Sequence, residues 1–212
     1  SDEFPVIPEV DETHSYSIDA GEFADSLASV LFATSKSEVR PELSGVCFHF
    51  GFLGEQSLIL AATDSYRLAE KSLLLLQGND EVRSIIPGRV ASEFVRLLAL
   101  SRGKNDGEKQ IRLFLGKNSI TMRYDQFEIM SRLVDGNYPD YKQIIPSHFK
   151  TEAIIPVAQL IKSIKAASIF TSTGVNAVNV EFLSSDNKTI VSSMSTQTGE
   201  HQSRLDSHIE GE

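Results

Sequence analysis

Asp64 and Arg67 form the one compact charged pair that lies inside an apolar stretch of this sequence. A carboxylate beside a guanidinium can exchange protons with a substrate, so hydrolysis is one chemistry that the pair permits. No motif that activates a nucleophile accompanies the pair. We therefore favour a turn aspartate followed by a strand arginine, and keep a hydrolytic enzyme using Asp64 and Arg67 as the alternative.

The other residue types that could carry chemistry are scattered along the chain. The five histidines show no pair at metal-ligand spacing, and the sequence contains neither a glycine-rich phosphate loop nor a Gly-x-Ser-x-Gly motif. The single cysteine, Cys47, lies in an apolar run, which is typical of a small buried strand residue in a reducing cytosol. We expect no catalytic residue, no metal ion and no cofactor.

The elements that must position these residues recur three times along the chain. A β-type run leads into an amphipathic helix around Ile18, Ile86 and Ile155, which are 68 and then 69 residues apart. The strand after each helix recurs as well, at Val46–Phe50, Ile111–Leu115 and Val178–Phe182. A fixed long period indicates one supersecondary unit copied in tandem. The sequence therefore predicts an α+β fold built from repeated units of one strand, one helix and three strands.

Each repeat has its own predicted elements. Asp19 is a helix cap with Glu22 three residues later, as in a capping box. The predicted inward stripes are Phe23, Leu27, Val30 and Leu31 in the first helix, Val90, Phe94, Leu97 and Leu98 in the second, and Leu160, Ile161 and Ile164 in the third. The strands are predicted near 43–51, 57–63, 67–75, 109–115, 118–124, 127–134, 177–184, 188–195 and 201–209.

The 212 residues are 41% apolar, enough for one large domain or one and a half smaller ones. Residues 1–13 are acidic and carry two prolines, which predicts a linker. Two repeats are expected to close into one domain over 14–147, which leaves 148–212 as half of another. No apolar run approaches the length of a membrane span, so we expect no membrane association.

The net charge of the chain is −9, which by itself would argue against a nucleic-acid partner. Most of this charge lies at the two ends of the chain, because residues 13–199 carry a net charge of −1, so the objection does not apply to the body of the protein. Bases lie near the polar side of each predicted helix, and they are Lys36, Arg40, Arg89, Arg96, Lys162 and Lys165. For any single helix, an ordinary solvent-exposed face explains the bases. All three together favour a surface that contacts the phosphates of duplex DNA without sequence preference.

A further group of residues is apolar with a polar rim. Its members fall at predicted strand ends and at the junction between the second and third repeats, and they are Leu43, Thr63, Tyr66, Leu68, Pro139 and Ile144. Ordinary core is one interpretation. A groove that binds a short apolar peptide from a partner protein is the other.

Two long motifs connect these residues to a known family. The stretch from Ala62 to Ala69 reads Ala-Thr-Asp-Ser-Tyr-Arg-Leu-Ala, and the stretch from Ser131 to Tyr141 reads Ser-Arg-Leu-Val-Asp-Gly-Asn-Tyr-Pro-Asp-Tyr. Together with Ile144-Ile145-Pro146, they resemble the bacterial DNA polymerase III beta subunit, the replicative sliding clamp. The opening Asp2-Glu3-Phe4-Pro5 resembles the linker that leaves the first domain of that family. The resemblance covers the middle domain and about half of the third.

The resemblance implies a DNA-clamp fold in which helices lie on the DNA-facing side of tandem βαβββ repeats and antiparallel sheets lie on the other. It implies a cytoplasmic processivity factor: a ring-shaped homodimer that encircles duplex DNA. Such a ring tethers the replicative polymerase, the clamp loader and other proteins with clamp-binding motifs. It also implies a non-catalytic subunit of the polymerase III holoenzyme. Because family dimers join the first domain to the third, we expect that the 212-residue chain alone cannot close a ring.

The resemblance also assigns a peptide-binding pocket. By motif it uses Leu43, Thr63, Ser65, Tyr66, Arg67 and Leu68, with Pro139, Gln143 and Ile144 from the domain junction. Many relatives carry Gly-His where Ser65-Tyr66 stands here, and some carry a base at the position of Gln143. A purely structural repeat module, without affinity for such a peptide, stays open as a further alternative.

Overall fold

The computed structural model describes residues 12–37, 39–101, 109–171 and 177–211, and they fall into two units divided between Pro139 and Asp140. We call the part up to Pro139 unit 1 and the part from Asp140 unit 2. The division lies a few residues before the predicted boundary at 147. Most of the predicted linker 1–13 and the predicted glycine-rich end of the second helix, residues 103–107, lie outside the described residues.

Unit 1 contains the βαβββ arrangement twice. The first repeat consists of β1 (His14–Asp19), α1 (Ala20–Leu31), β2 (Gly45–Phe50), β3 (Ser57–Thr63) and β4 (Leu68–Leu74). The second consists of β5 (Val82–Pro87), α2 (Gly88–Ser101), β6 (Gln110–Leu115), β7 (Ser119–Tyr124) and β8 (Phe127–Arg132). The tandem repeat predicted from the spacing is therefore confirmed in unit 1.

The two repeats of unit 1 exchange their first strands. One antiparallel sheet has the order β4-β3-β2-β5, and the other has the order β1-β6-β7-β8. The registers place Val46 opposite Ile86 and Ile18 opposite Ile111. Since each sheet contains a strand of the other repeat, neither repeat completes its sheet alone.

The two helices of unit 1 begin where the sequence predicts and bury most of the predicted faces. The Asp19 carboxylate accepts a hydrogen bond from the Glu22 N–H at 2.9 Å, which satisfies a free donor at the start of α1. Phe23, Leu27 and Val30 of α1 are buried, as are Phe94 and Leu98 of α2; Leu31, Val90 and Leu97 are partly buried. The two helices pack against each other over the sheets. In the described residues, no helix has the length and apolar character needed to cross a membrane.

The core of unit 1 is aliphatic with phenylalanine, and both repeats contribute to it. Phe48 meets the ring of Phe23 edge to face, with ring centres 6.0 Å apart, and the rings of Tyr16 and Phe50 stack at 4.0 Å. Cys47 is buried as predicted. Burial raises the pKa of its thiol, although the Arg83 guanidinium acts in the opposite direction. Cys47 is therefore kept as a neutral, packed side chain.

Unit 2 contains a third copy of the repeat. Its elements are β9 (Thr151–Ile154), α3 (Val157–Ser168), β10 (Asn179–Leu183), β11 (Lys188–Ser195), β12 (Gly199–Asp206) and β13 (His208–Gly211). The strands β10, β11 and β12 form one antiparallel sheet, and β13 pairs with β9. The helix α3 packs on β11 and β12 through a small core of Ala167, Val191 and Leu205.

Two predictions about the third repeat are wrong. The strand predicted over 201–209 is two strands, because the chain leaves the sheet at Ser207, where Asn187 binds the N–H groups of Ser207 and Ile209. The predicted inward residues Ile161 and Ile164 are exposed. Their hydrophobic spacing correctly indicated a helix, but in unit 2 no described element covers that face of α3.

Candidate functional site

The turn between β3 and β4 is organised by the side chain of Asp64. One carboxylate oxygen, Oδ1, accepts hydrogen bonds from the N–H groups of Tyr66 at 3.0 Å and Arg67 at 3.1 Å. The other, Oδ2, accepts one from Nε of Arg67 at 3.0 Å. This is the local hydrogen bonding by which aspartate stabilises turns. Asp64 and Arg67 are thus a turn aspartate and its partner, and their geometry gives no role in proton transfer.

The side chain of Thr63 stabilises the same turn with two further hydrogen bonds. Its hydroxyl Oγ1 accepts a hydrogen bond from the Ser65 N–H at 3.1 Å and donates one to the Arg67 carbonyl at 2.8 Å. Ser65 is held at a φ of 77°. That left-handed conformation favours glycine, so a glycine at this position would fit the turn without strain. The turn is therefore fixed by hydrogen bonds between the side chains of Thr63 and Asp64 and the turn backbone.

The turn presents an aromatic ring and a cation at the surface. Tyr66 is 98% exposed, and the guanidinium of Arg67 lies 5.4 Å from the ring centre of Phe32. Leu68 is partly buried and Leu43 is buried. An exposed aromatic ring beside a cation suits contact with an apolar peptide better than it suits catalysis.

Pro139 ends unit 1 near this turn. Its carbonyl accepts a hydrogen bond from Nη2 of Arg83 at 3.3 Å. The preceding residue, Tyr138, is buried, and its hydroxyl group lies near the backbone of Thr63. Burial raises the pKa of Tyr138, with the thiol of Cys47 acting in the same direction. The structure thus brings Pro139 and the Thr63 turn, which are distant in sequence, into one region of unit 1.

The two remaining predicted pocket residues belong to unit 2. Gln143 and Ile144 lie in a short 3₁₀ turn, Tyr141–Ile144. The Gln143 amide donates a hydrogen bond to Asp140 at 2.8 Å, and the side chain of Ile144 is exposed. Within unit 2, the Gln143 amide can make a polar contact and the exposed Ile144 side chain can make an apolar one.

The predicted DNA-facing bases divide into three groups. Arg89 and Arg96 are exposed on α2, with Arg96 paired to Glu93 at 2.7 Å; Lys162 and Lys165 are exposed on α3. Lys36 is exposed just after α1, whose own solvent face carries the acids Glu22 and Asp25. Arg40 is different, because it pairs with Glu42 at 3.0 Å and lies 3.5 Å from the Ser65 hydroxyl, beside the Thr63 turn.

Sequence reasoning missed two neighbours of the turn, Phe32 and Arg40. Phe32 follows directly after the last residue of α1, so its exposed ring could have been expected from the helical period. No sequence signal places Arg40 beside Ser65, because the contact spans 25 positions. Within the described ranges, no cluster of histidine, cysteine, aspartate or glutamate side chains is arranged to hold a metal ion.

The ionisation of Asp64 provides a test of this turn. Burial opposes ionisation, but the N–H groups of Tyr66 and Arg67 and the Arg67 guanidinium lower the pKa of Asp64 overall. A lowered folded pKa means that the carboxylate stabilises the fold above the ordinary aspartate pKa of about 3.9 and loses that effect as pH falls through the folded value. In an NMR titration, Asp64 should ionise at lower pH than in an unfolded peptide of the same sequence. An equal or higher midpoint would contradict the observed hydrogen bonds.

Comparisons with known proteins agree with this architecture. The family model for the central domain of the DNA polymerase III beta subunit matches residues 17–140. A curated beta sliding clamp from Staphylococcus aureus is 28% identical over 211 residues, which are 99% of this chain and 53% of the relative. The chain therefore spans about half the length of the curated relatives it matches.

Solved structures give the same result. The DNA polymerase sliding clamp of Bacillus subtilis superimposes with a TM-score of 0.88 at 28% identity, over 99% of this chain and 53% of that one. The DNA polymerase III beta subunit of Thermotoga maritima superimposes with a TM-score of 0.86 at 26% identity, over 100% of this chain and 55% of that one. The α+β clamp fold expected from the motifs is thereby confirmed.

Proposed function

Because the chain belongs to the DNA polymerase III beta subunit family, we propose that it is part of a replicative sliding clamp. In this role the protein is a processivity factor without chemistry of its own. It encircles duplex DNA as a homodimeric ring and acts in the cytoplasm, where it tethers the polymerase, the clamp loader and other partners. The family match over the central domain is the observation that carries the proposal.

We propose that partners bind at the Thr63 turn. Leu68 and the buried Leu43 supply an aliphatic floor, and Tyr66 and Arg67 supply an exposed rim, so an apolar peptide side chain can be covered there. Pro139 lies in the same region of unit 1. The hydrogen bonds of Thr63 and Asp64 hold the turn before a partner arrives, which reduces the entropy lost on binding.

The proposal is tested by measuring how the 212-residue chain binds a fluorescein-labelled clamp-binding peptide of the replicative polymerase. Replacing Leu68 with alanine should weaken binding about tenfold, because buried interface anchors commonly contribute more than about 1 kcal/mol. Fluorescence anisotropy measures the affinity. The matched control is Leu74→Ala, at the other end of β4, where the side chain is exposed.

Two results would overturn this assignment. One is an unmodified chain that does not bind the peptide at all, which would favour a purely structural repeat module. The other is a Leu68→Ala variant with the affinity of the unmodified chain, which would remove Leu68 from the binding surface.

We further propose that the exposed bases Arg89, Arg96, Lys162 and Lys165 contact DNA phosphates. Glu93 neutralises part of the charge of Arg96, and the solvent face of α1 is acidic. Few uncompensated bases imply weak, salt-sensitive contacts. Weak contacts suit a ring that holds DNA by enclosure, because the ring must remain free to slide.

A further inference from the structure

The ring of Phe32 lies against the guanidinium of Arg67. The centre of the ring is 5.4 Å from Cζ of Arg67, although the two residues belong to different elements. Phe32 directly follows α1, and Arg67 directly precedes β4. At this separation a cation is attracted to the face of an aromatic ring, and an exposed contact of this kind changes an equilibrium constant by a factor of about two to five. The contact is therefore large enough to influence where the guanidinium lies.

The backbone that carries Phe32 is fixed on both sides. Ala33 is buried, and its N–H donates a hydrogen bond to the Val30 carbonyl at 3.0 Å. Further along, the Ser35 N–H donates one to the carbonyl of Leu43 at 2.8 Å. The segment is thus joined both to α1 and to one of the proposed peptide-binding residues. Phe32 itself is 59% exposed, so its ring is a surface side chain on a fixed backbone.

The guanidinium of Arg67 has a second fixed contact. Its Nε donates a hydrogen bond to Oδ2 of Asp64 at 3.0 Å. A ring from the end of α1 and a carboxylate from the β3–β4 turn restrict the side chain more than either would alone, because a long arginine side chain keeps several rotamers when one contact holds it. Within the part of the chain that the structure describes, Nη1 and Nη2 of Arg67 make no hydrogen bond. Both nitrogens can therefore donate to an acceptor on a partner.

We propose that Phe32 is a positioning residue for the peptide-binding surface. Its ring and the Asp64 carboxylate hold the Arg67 guanidinium in place before a peptide arrives. The terminal nitrogens Nη1 and Nη2 then donate to a carbonyl or carboxylate oxygen of the peptide. A guanidinium that is already ordered loses less entropy on binding, so the ring increases affinity without touching the peptide. This inference rests on the proposed peptide-binding function.

The contact is tested first in the chain without peptide. In a proton–nitrogen NMR spectrum, the Nε–H signal of Arg67 is identified by its absence in Arg67→Ala. Phe32→Leu should shift this signal, because leucine has no ring current, whereas Phe32→Tyr keeps an aromatic face and should leave it near its native position. Phe127→Leu is the matched control, since Phe127 is exposed but lies in the other sheet of unit 1. An Arg67 signal that does not move in Phe32→Leu overturns the proposal.

The second test measures affinity for the fluorescein-labelled clamp-binding peptide. Phe32→Leu should weaken binding about two- to fivefold, and Phe32→Tyr should bind nearly as tightly as the unmodified chain. In an Arg67→Ala chain, the same Phe32→Leu change should have no further effect, because the ring acts only through the guanidinium. Phe127→Leu should leave affinity unchanged. Circular dichroism confirms that each variant is folded.

The results distinguish this inference from the function on which it rests. If the unmodified chain does not bind the peptide, the proposed function is wrong and the positioning role falls with it. If the chain binds and Phe32→Leu leaves the affinity unchanged, only the positioning role is wrong. An equal loss of affinity in the native and the Arg67→Ala chains would mean that the ring contacts the peptide or supports the fold, which also overturns positioning through Arg67.

Discussion

Replacing Phe48 with alanine is expected to lower the free energy of unfolding of unit 1 by about 3–5 kcal/mol. Phe48 is fully buried and meets Phe23 of α1 and Phe50 of its own strand. Truncation removes the apolar ring and leaves a cavity that these fixed neighbours cannot fill. Chemical denaturation followed by circular dichroism measures the effect. Phe149→Ala is the control, because Phe149 is 74% exposed and its loss should change stability little.

The Phe48→Ala variant also tests how closely the two repeats of unit 1 depend on each other. Phe48 belongs to the first repeat, but β2 pairs with β5 of the second, and both repeats share one core. Amide hydrogen exchange should therefore become faster in β6 and β7 as well as in β2 and β3. Unchanged protection of β6 and β7 would mean that the second repeat is stable without the first, contrary to the observed strand exchange.

Replacing Asp64 with alanine is expected to weaken peptide binding by about tenfold or more, since about 1.4 kcal/mol corresponds to a factor of ten. The substitution removes the acceptor for the N–H groups of Tyr66 and Arg67 and the partner of the Arg67 guanidinium. The Ser65 N–H would keep its hydrogen bond to Thr63, so the loosening would fall on Tyr66 and Arg67. The rim of the proposed binding surface would lose its fixed position, and the peptide would have to order it on binding.

The Asp64 prediction needs two further variants. Asp64→Asn keeps an oxygen that can accept from the backbone but loses the charge, so its affinity should fall between those of the native chain and Asp64→Ala. Asp186→Ala removes a turn aspartate of unit 2 and should leave peptide affinity unchanged. Native affinity in Asp64→Ala would show that the turn does not need its carboxylate. Loss of an intrinsic hydrolase activity on substitution would instead revive the enzymatic alternative, for which the family relationship gives no support.

The features of this fold that depend on local sequence patterns could be predicted from the sequence. The cap at Asp19, the helical stripes ending in Leu31 and Leu98, and the recurrence of Ile18 at Ile86 follow from hydrophobic period and helix-start chemistry. These signals act over a few residues, so each repeat carries its own copy. The motif from Ala62 to Ala69 likewise located the Thr63 turn and identified the family.

The pairing between repeats could not be predicted in this way. Nothing within β1 specifies that it joins β6 rather than β2, since either edge offers the same backbone donors and acceptors. The hydrogen bonds that divide β12 from β13 depend on Asn187, which lies in a different turn. The contact between Arg40 and Ser65 depends on the tertiary structure, which brings the segment after α1 beside the turn between β3 and β4.

The sequence by itself determined the repeat, most of its helices and strands, the Thr63 turn and the family. Only the tertiary structure decided which apolar faces are covered. Counted from the caps of α1 and α3, Leu27 and Ile164 occupy the same place in the helical pattern, yet Leu27 is buried and Ile164 is exposed. The reason is physical: a hydrophobic period records that a face avoids water, whereas burial requires a second element to pack against it.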